Sequence, residues 1–327
     1  MTSNPHPVGI FILGDVPPEN IVKLSRQVEE CGFSELWFAE DYFMLPGFSS
    51  AAIALQATKS IQVGVGAVSA VVRHPAVTAM EAATLARAYP GRFTLGMGHG
   101  LPAWTKQMKL YPKSILTAMR ESVTSVKRLL GGETLTEEGE YFSFDAVTLT
   151  HPAPELEVLT AVIGPKSVDL TAEIADGMLI SVLAGPQYVR TVCERIKQQR
   201  ADGAKNFRFV TYALAAVAPQ REDARAKVRA VTAFYLAAVG PTLITGVYGL
   251  NDEVAALVAE GGAQAIEENM PDEWIDWLAI AGDPADCLAG IQNQFAAGST
   301  SVVLCVVPSE ELPEQLNIFS REVLSKL

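Results

Sequence analysis

Cysteine is scarce in this chain of 327 residues: four, at positions 31, 193, 287 and 305, with no CxxC and no Cys/His spacing. That distribution excludes a disulfide framework or a clustered metal site and reads as reduced, packed thiols in a cytosolic protein. Long apolar runs are missing too. No stretch reaches the roughly 20 residues of a membrane span, and the opening MTSNPHPVG has neither the basic flank nor the apolar core of a signal peptide. Positive charge is in deficit, with 25 Lys and Arg against 37 Asp and Glu and a net charge of -12. That balance argues against a general nucleic-acid or anionic-membrane surface. The expectation is a soluble, cytoplasmic protein whose partner is a small molecule. Several short catalytic motifs are absent as well: there is no HExxH, no GxSxG and no P-loop, and Gly14-Asp15-Val16-Pro17 follows the first strand candidate where a dinucleotide fold would carry GxGxxG.

What is present is a repeated alternation of short β-branched runs and helical segments. With 49% hydrophobic residues, the chain can bury a large core. Strands are expected at Val8 to Leu13, Ser34 to Ala39, Ile61 to Gly66, Arg92 to Met97, Leu156 to Ile163, Met178 to Ser181, Phe207 to Val217 and Ser301 to Val307. A helix follows most of them, as in Ala76 to Ala88, Ser114 to Leu130 and Pro284 to Ala297, and a closing helix is expected over Glu310 to Lys326. Eight strands in parallel βα succession are the count of a (β/α)8 TIM barrel, an α/β fold. Residues 133–150, with the alternating Tyr141-Phe142-Ser143-Phe144, and residues 240–280, which lack a clean period, read as insertions in one domain spanning 1–327. The second is read as a lid, in which Tyr248, Trp274 and Trp277 either pack or add apolar wall.

In such a barrel, ligands bind at the carboxyl ends of the strands. Glu40-Asp41 ends the second strand, either as a solvated pair in a loop or as catalytic carboxylates. Trp37 and Phe38 alternate, so one of them is expected in the core. His74, between Arg73 and Pro75, either caps a helix or touches a cofactor. His99 lies in Gly98-His99-Gly100, where glycines let a ligand approach the backbone. Trp104, in an irregular segment running from Leu101 to Lys113, is a candidate pocket wall. Gly164-Pro165-Lys166-Ser167 places a helix start, a lysine and a hydroxyl at a strand end, which makes an anion site.

Five groups of residues, in this order, resemble the luciferase-like flavin and deazaflavin oxidoreductases. They are Gly32-Phe33 with Leu36-Trp37-Phe38-Ala39-Glu40, then Arg73-His74-Pro75-Ala76-Val77, then Gly91-Arg92-Phe93 with Leu95-Gly96-Met97-Gly98. Gly164-Pro165-Lys166 with Ala172-Glu173 and Ala175-Asp176-Gly177, and Ala281-Gly282-Asp283-Pro284, complete the set. Within that superfamily the chain is most similar to the branch typified by methylenetetrahydromethanopterin reductase. The resemblance implies hydride transfer between reduced coenzyme F420, a deazaflavin, and an organic substrate; the alternatives are an FMN-dependent monooxygenase using oxygen, or a barrel that binds a flavin without turnover. It also implies a non-proline cis peptide near Gly66-Ala67 or Ala67-Val68 supporting the central ring, with Gly66, Ala67, Val68, His74 and Gly98 around the cofactor and Gly164 to Ser167 on its phosphate. Glu40 and Asp41 would then face substrate or ring, His99 would be the proton partner, and the protein would be a homodimer through its early helices. The branch commonly places histidine where this chain has Asp41, and an ionised aspartate cannot donate a hydrogen bond.

Overall fold

Strands enclosed between a barrel interior and a coat of helices must be largely apolar on both faces, and the barrel strands here are so apart from a few polar residues that pair with one another, Glu35, Thr94 and Arg208 among them. The structure, a computed structural model, describes residues 6–327, so Met1 to Pro5 of the opening segment lie outside the described residues. In chain order the first half comprises β1 (Val8–Ile12), α1 (Ile21–Glu30), β2 (Glu35–Phe38), α2 (Gly47–Ala57), β3 (Gln62–Ser69), α3 (Pro75–Ala88), β4 (Phe93–Gly98), α4 (Pro102–Gln107) and α5 (Ile115–Leu130). A hairpin of β5 (Leu135–Glu138) and β6 (Ser143–Val147) follows, then β7 (Val158–Ala161), α6 (Pro165–Ile174), β8 (Gly177–Ile180), α7 (Pro186–Gln199) and β9 (Arg208–Val217). The remainder is α8 (Arg221–Val239), α9 (Leu243–Gly246), α10 (Asn251–Asn269), α11 (Asp272–Leu278), β10 (Ala279–Gly282), α12 (Pro284–Ala297), β11 (Ser301–Val306) and α13 (Leu312–Ile318).

Eight parallel strands close in the order β1-β2-β3-β4-β7-β8-β9-β11, with β11 returning to β1. These are the eight expected segments, and the fold is a (β/α)8 barrel. Pro75, Pro165, Pro186 and Pro284 each occupy a first helical position after a strand, where a missing N–H costs nothing. Trp37 and Phe38 are both fully buried, one toward the interior and the other toward the helices, because this strand has no solvent face. All four cysteines are unpaired, three of them buried.

Three elements differ from the sequence reading. Helix α2 arises from GFSSAAIALQA, whose small residues carry no clear helical period. Residues 240–280 are helical rather than irregular: α10 folds back on α8 and bends at Gly262, whose φ of 64° interrupts the helix. β10 then adds to the upper half of β9, pairing Ala279 with Leu214, an edge too short to be read from sequence. The closing helix is present where it was expected, as α13 between a 3-10 turn at Ser309–Glu311 and a π turn at Phe319–Val323 that runs on to Lys326.

The barrel interior is filled unevenly. Phe11 and Trp37 both pack on Tyr212, with ring centroids 4.7 and 5.8 Å apart. Opposite them, a Cβ on Gly64 would lie 2.2 Å from the Trp37 ring, and one on Gly96 would lie 2.3 Å from Leu179. At the floor Arg208 bonds Glu35, Glu157 and Thr94, each at 3.1 Å, and Trp37 donates to Glu35 at 2.7 Å. Gly64→Ala forces a methyl into a filled interior and is expected to cost about 1–3 kcal/mol. Thermal unfolding checks this, with a midpoint several degrees below that of the parent chain expected.

Candidate active site

The mouth of the barrel is built where strands end in residues with little side chain. β3 and β4 lose register between Val65 and Val68, and the extra residues form a bulge at Gly66-Ala67. The peptide bond between them is cis, one of the two positions the resemblance implied. Beside it, a Cβ on Gly98 would meet Ala161 and Ala67 at 3.3–3.4 Å, so β3, β4 and β7 present a contiguous surface of Ala67, Gly98 and Ala161. Val68 is fully buried and supports this surface from beneath.

On one side of this floor lies an anion-binding corner. Gly164 caps α6 with extended backbone and Pro165 opens the helix. The N–H groups of Ser167 and Val168 turn back to the Gly164 carbonyl, at 3.0 and 2.9 Å. The Lys166 N–H, the exposed Lys166 side chain and the Ser167 hydroxyl remain at the positive end of the helix dipole. Space above Gly164 is open, with no atom within 4 Å of where its Cβ would stand. His99 belongs to this corner: its Nε2 pairs with Ser167 Oγ at 3.2 Å and its carbonyl accepts from Ser69 Oγ at 3.3 Å. The ring's Nδ1 is buried without a partner, and burial pulls the imidazole below its usual 6.5.

The opposite side holds the carboxylates, and they behave differently from one another. Glu40 is buried and fully used: Arg73 grips both of its oxygens, Tyr42 Oη donates to one at 2.7 Å and the Gly47 N–H to the other at 3.2 Å. The Arg73 guanidinium also lies over the Phe48 ring, 5.4 Å from its centroid, and within 3.3 Å of Glu81. Glu40 is therefore neither a solvated carboxylate nor a free one; it ties the β2 and β3 ends together. Asp41 projects against Gly14, and its carboxyl is raised from the usual aspartate range by burial, with the charges of Asp15 and Glu40 adding to the effect. Tyr235 of α8 reaches the same space, its phenol raised chiefly by burial and further by Cys305, Asp41 and Asp15. Asp15 in turn accepts from Ser309 Oγ at 2.8 Å.

His74 and the aromatic residues Tyr248, Trp274 and Trp277 are held by contacts within the protein. Both ring nitrogens of His74 are engaged, Nδ1 accepting from the Ala76 N–H and Nε2 pairing with Ser143 O, each at 3.2 Å. Its ring also packs edge-on against Phe142 and Phe144. It caps α3 and clasps the β5–β6 hairpin. Tyr248 and Trp277 stack 5.3 Å apart against Gly185, and Trp274 is buried, so these rings fasten α9 and α11 to the turn after β8. Trp104 stands edge-on to Tyr42 at 6.1 Å, on the rim. Sequence reasoning missed Arg73 as the partner of Glu40, and Asp15 and Tyr235 as neighbours of Asp41. Only the position of Arg73 after the bulge signalled any of these. Among the described residues, no group of three His, Cys, Asp or Glu is placed to hold a metal ion.

Two outcomes follow from this geometry. Arg73→Met strands a buried carboxylate and is expected to destabilise the fold by about 3–5 kcal/mol, measured by urea unfolding. His99 has a folded-state pKa below its unfolded value, so the unfolded chain binds the proton first and stability declines as pH falls below about 6.5. Between pH 7 and 5.5 the urea midpoint should therefore drop more in the parent chain than in His99→Gln.

Known proteins resemble this chain in sequence and fold. The chain is 28% identical over 330 residues to the 5,10-methylenetetrahydromethanopterin reductase of Archaeoglobus fulgidus, covering 98% of this chain and 99% of that one. Its fold matches the coenzyme F420 dependent tetrahydromethanopterin reductase of Methanopyrus kandleri with a TM-score of 0.84 at 23% identity, over 98% and 99% of the two chains. An F420-dependent secondary alcohol dehydrogenase, solved with an F420-acetone adduct, superposes with a TM-score of 0.77 at 20% identity, over 97% and 98%. The sequence pattern of the luciferase-like monooxygenases matches residues 6–301, and with its bulged β3 and glycine-ended β4 the chain belongs to that family.

Proposed function

We propose that the chain is an oxidoreductase that transfers hydride between reduced coenzyme F420 and an organic substrate, with residues 1–327 forming one catalytic domain. The observation that carries this reading is the flat floor of Ala67, Gly98 and Ala161 ending at the anion corner of α6. A planar tricyclic ring with a phosphate-bearing side chain matches that outline, and the similarity to F420-linked reductases supports the deazaflavin over FMN. Lys166, through its side chain and its N–H, and the Ser167 hydroxyl would hold the phosphate, with His99 beside them; Gly66, Ala67 and Gly98 would lie against the ring. When bound, the reduced deazaflavin supplies the hydride.

The residues of this chain then divide the remaining tasks. Glu40, closed off by Arg73 and Tyr42, is a positioning residue that sets the direction of the β2–α2 loop. The proton role falls to Asp41 rather than to His99, because His99 is committed to Ser167 on the phosphate side. Burial, with the charges of Asp15 and Glu40 adding to it, raises the Asp41 carboxyl above the usual aspartate range, which favours the acid form that a donor needs. Activity that needs the acid form should fall as pH rises through that elevated value. A homodimer through the early helices belongs to the same proposal, supported by the exposed Ile53 of α2 and Val77 and Met80 of α3, and so does a cytoplasmic setting.

Fluorescence titration of the purified protein with the deazaflavin and with FMN tests the cofactor. Micromolar affinity for the deazaflavin alone is expected; preference for FMN would move the reading to an oxygen-using enzyme. Lys166→Ala should weaken deazaflavin binding and leave the unfolding midpoint unchanged. Asp41→Asn should lower kcat by about 10²-fold or more with cofactor affinity retained.

A further inference from the structure

Resting on that reading of the site, we propose that the substrate is a flat, largely apolar organic acid, recognised by residues 101–113 at the rim. Its body would lie on the exposed rings and aliphatic chains there, and its acidic group would meet Lys106, Lys109 and Lys113.

Three observations converge on this segment. The first is apolar exposure. Phe43 and Met44, in the loop after β2, are 70% and 60% exposed, and Leu101, Leu110 and Tyr111, after β4, are 41–45% exposed. Single exposed apolar residues are ordinary, but a set on two adjoining loops at the carboxyl ends of barrel strands marks a binding surface. The contact of Trp104 with Tyr42 shows that the two loops adjoin.

The second is charge. Between Ala82 and Arg120 the chain has no aspartate or glutamate, although it contains 37 in all. Its cations over that stretch are Arg87, Arg92, Lys106, Lys109, Lys113 and Arg120. The arginines are committed: Arg87 and Arg92 bond backbone carbonyls and Arg120 bonds Glu173. Among the described residues, none of the three lysines has a carboxylate oxygen within the 4.0 Å of an ion pair. A protein of net charge -12 repels an acid at long range, so a local cationic strip at the mouth provides the attraction that the whole surface lacks.

The third is that cation and ring occupy one surface. Lys106 Nζ lies 5.1 Å from the centre of the Tyr111 ring, so the strip presents charge and apolar area together. A sugar phosphate would leave the apolar rim uncovered, and a neutral hydrocarbon would leave the lysines unpaired. An acid with a flat apolar body satisfies both, and the flat floor beneath admits it.

Two fluorescent probes test the proposal: 1-anilinonaphthalene-8-sulfonate, a flat apolar acid, and its neutral counterpart N-phenyl-1-naphthylamine. The parent chain should bind the sulfonate. The triple variant Lys106→Gln, Lys109→Gln, Lys113→Gln should bind it about fivefold or more weakly, with affinity for the neutral probe and for the deazaflavin retained. Trp104→Ala should weaken both probes. Equal sulfonate affinity in the parent and the triple variant would overturn the proposal, as would loss of deazaflavin binding in the triple variant, which would assign the lysines to the cofactor. If the parent chain binds no deazaflavin yet its sulfonate affinity depends on the lysines, the cofactor reading fails and the acid-binding strip stands.

Discussion

The constraint on which this architecture depends is the volume inside the barrel. Eight strands leave room for side chains but not for equal ones, and here the large rings come from β1, β2 and β9 as Phe11, Trp37 and Tyr212. The facing strands must then carry almost nothing, and β3 and β4 answer with Gly64, Gly66 and Gly96. A Cβ on Gly66 would fall 1.9 Å from the Tyr212 hydroxyl. The same economy of side chain continues upward through Ala67 and Gly98, so the packing solution of the core becomes the flat floor of the site. Stability and ligand geometry are in this way set by one distribution of volume.

Around that floor the electrostatics are divided by strand order. β7 and its helix supply positive dipole, lysine and hydroxyl; β1 and β2 supply carboxyl groups; β3 and β4 lie between them. On the proposed reading, a ligand spanning the floor would direct its anionic end to α6 and its reacting end to Asp41. The separation explains why two residues that look interchangeable in sequence, His99 and Asp41, take different parts. The first is joined to Ser167 and lowered by burial; the second is raised above the usual aspartate range by burial, with the charges of Asp15 and Glu40 adding to it. Glu40 differs from its neighbour for an equally local reason, since Arg73 arrives from the β3 end to satisfy it.

The segment between β9 and β11 shows how a barrel gains a cover without altering its closure. β9 is long enough to pair β8 with its first half and β10 with its second, and α8 to α11 are inserted above that edge. Their attachment is apolar and aromatic, through Tyr248 and Trp277 at Gly185. Tyr235 then reaches from α8 to the carboxyl side of the mouth.

Much of this was legible in the residues alone. The eight barrel strands, the Gly66 bulge region and the proline-initiated α6 are encoded locally, by β-branched runs, glycine at strand ends and proline at first helical positions, and they needed no partner to be recognised. Helix α2 and strand β10 were not legible, because alanine- and serine-rich or very short segments take their conformation from what they pack against. The pairing of Arg73 with Glu40, the diversion of His74 to the β5–β6 hairpin and the meeting of Asp15, Asp41 and Tyr235 were decided only in three dimensions. Each joins residues 33 or more positions apart, or from different loops, and a side chain's protonation and availability depend on the groups that surround it after folding. Residue type and order determined which chemistry was present and on which strand ends it would stand; tertiary packing decided which of those groups were left free to use it.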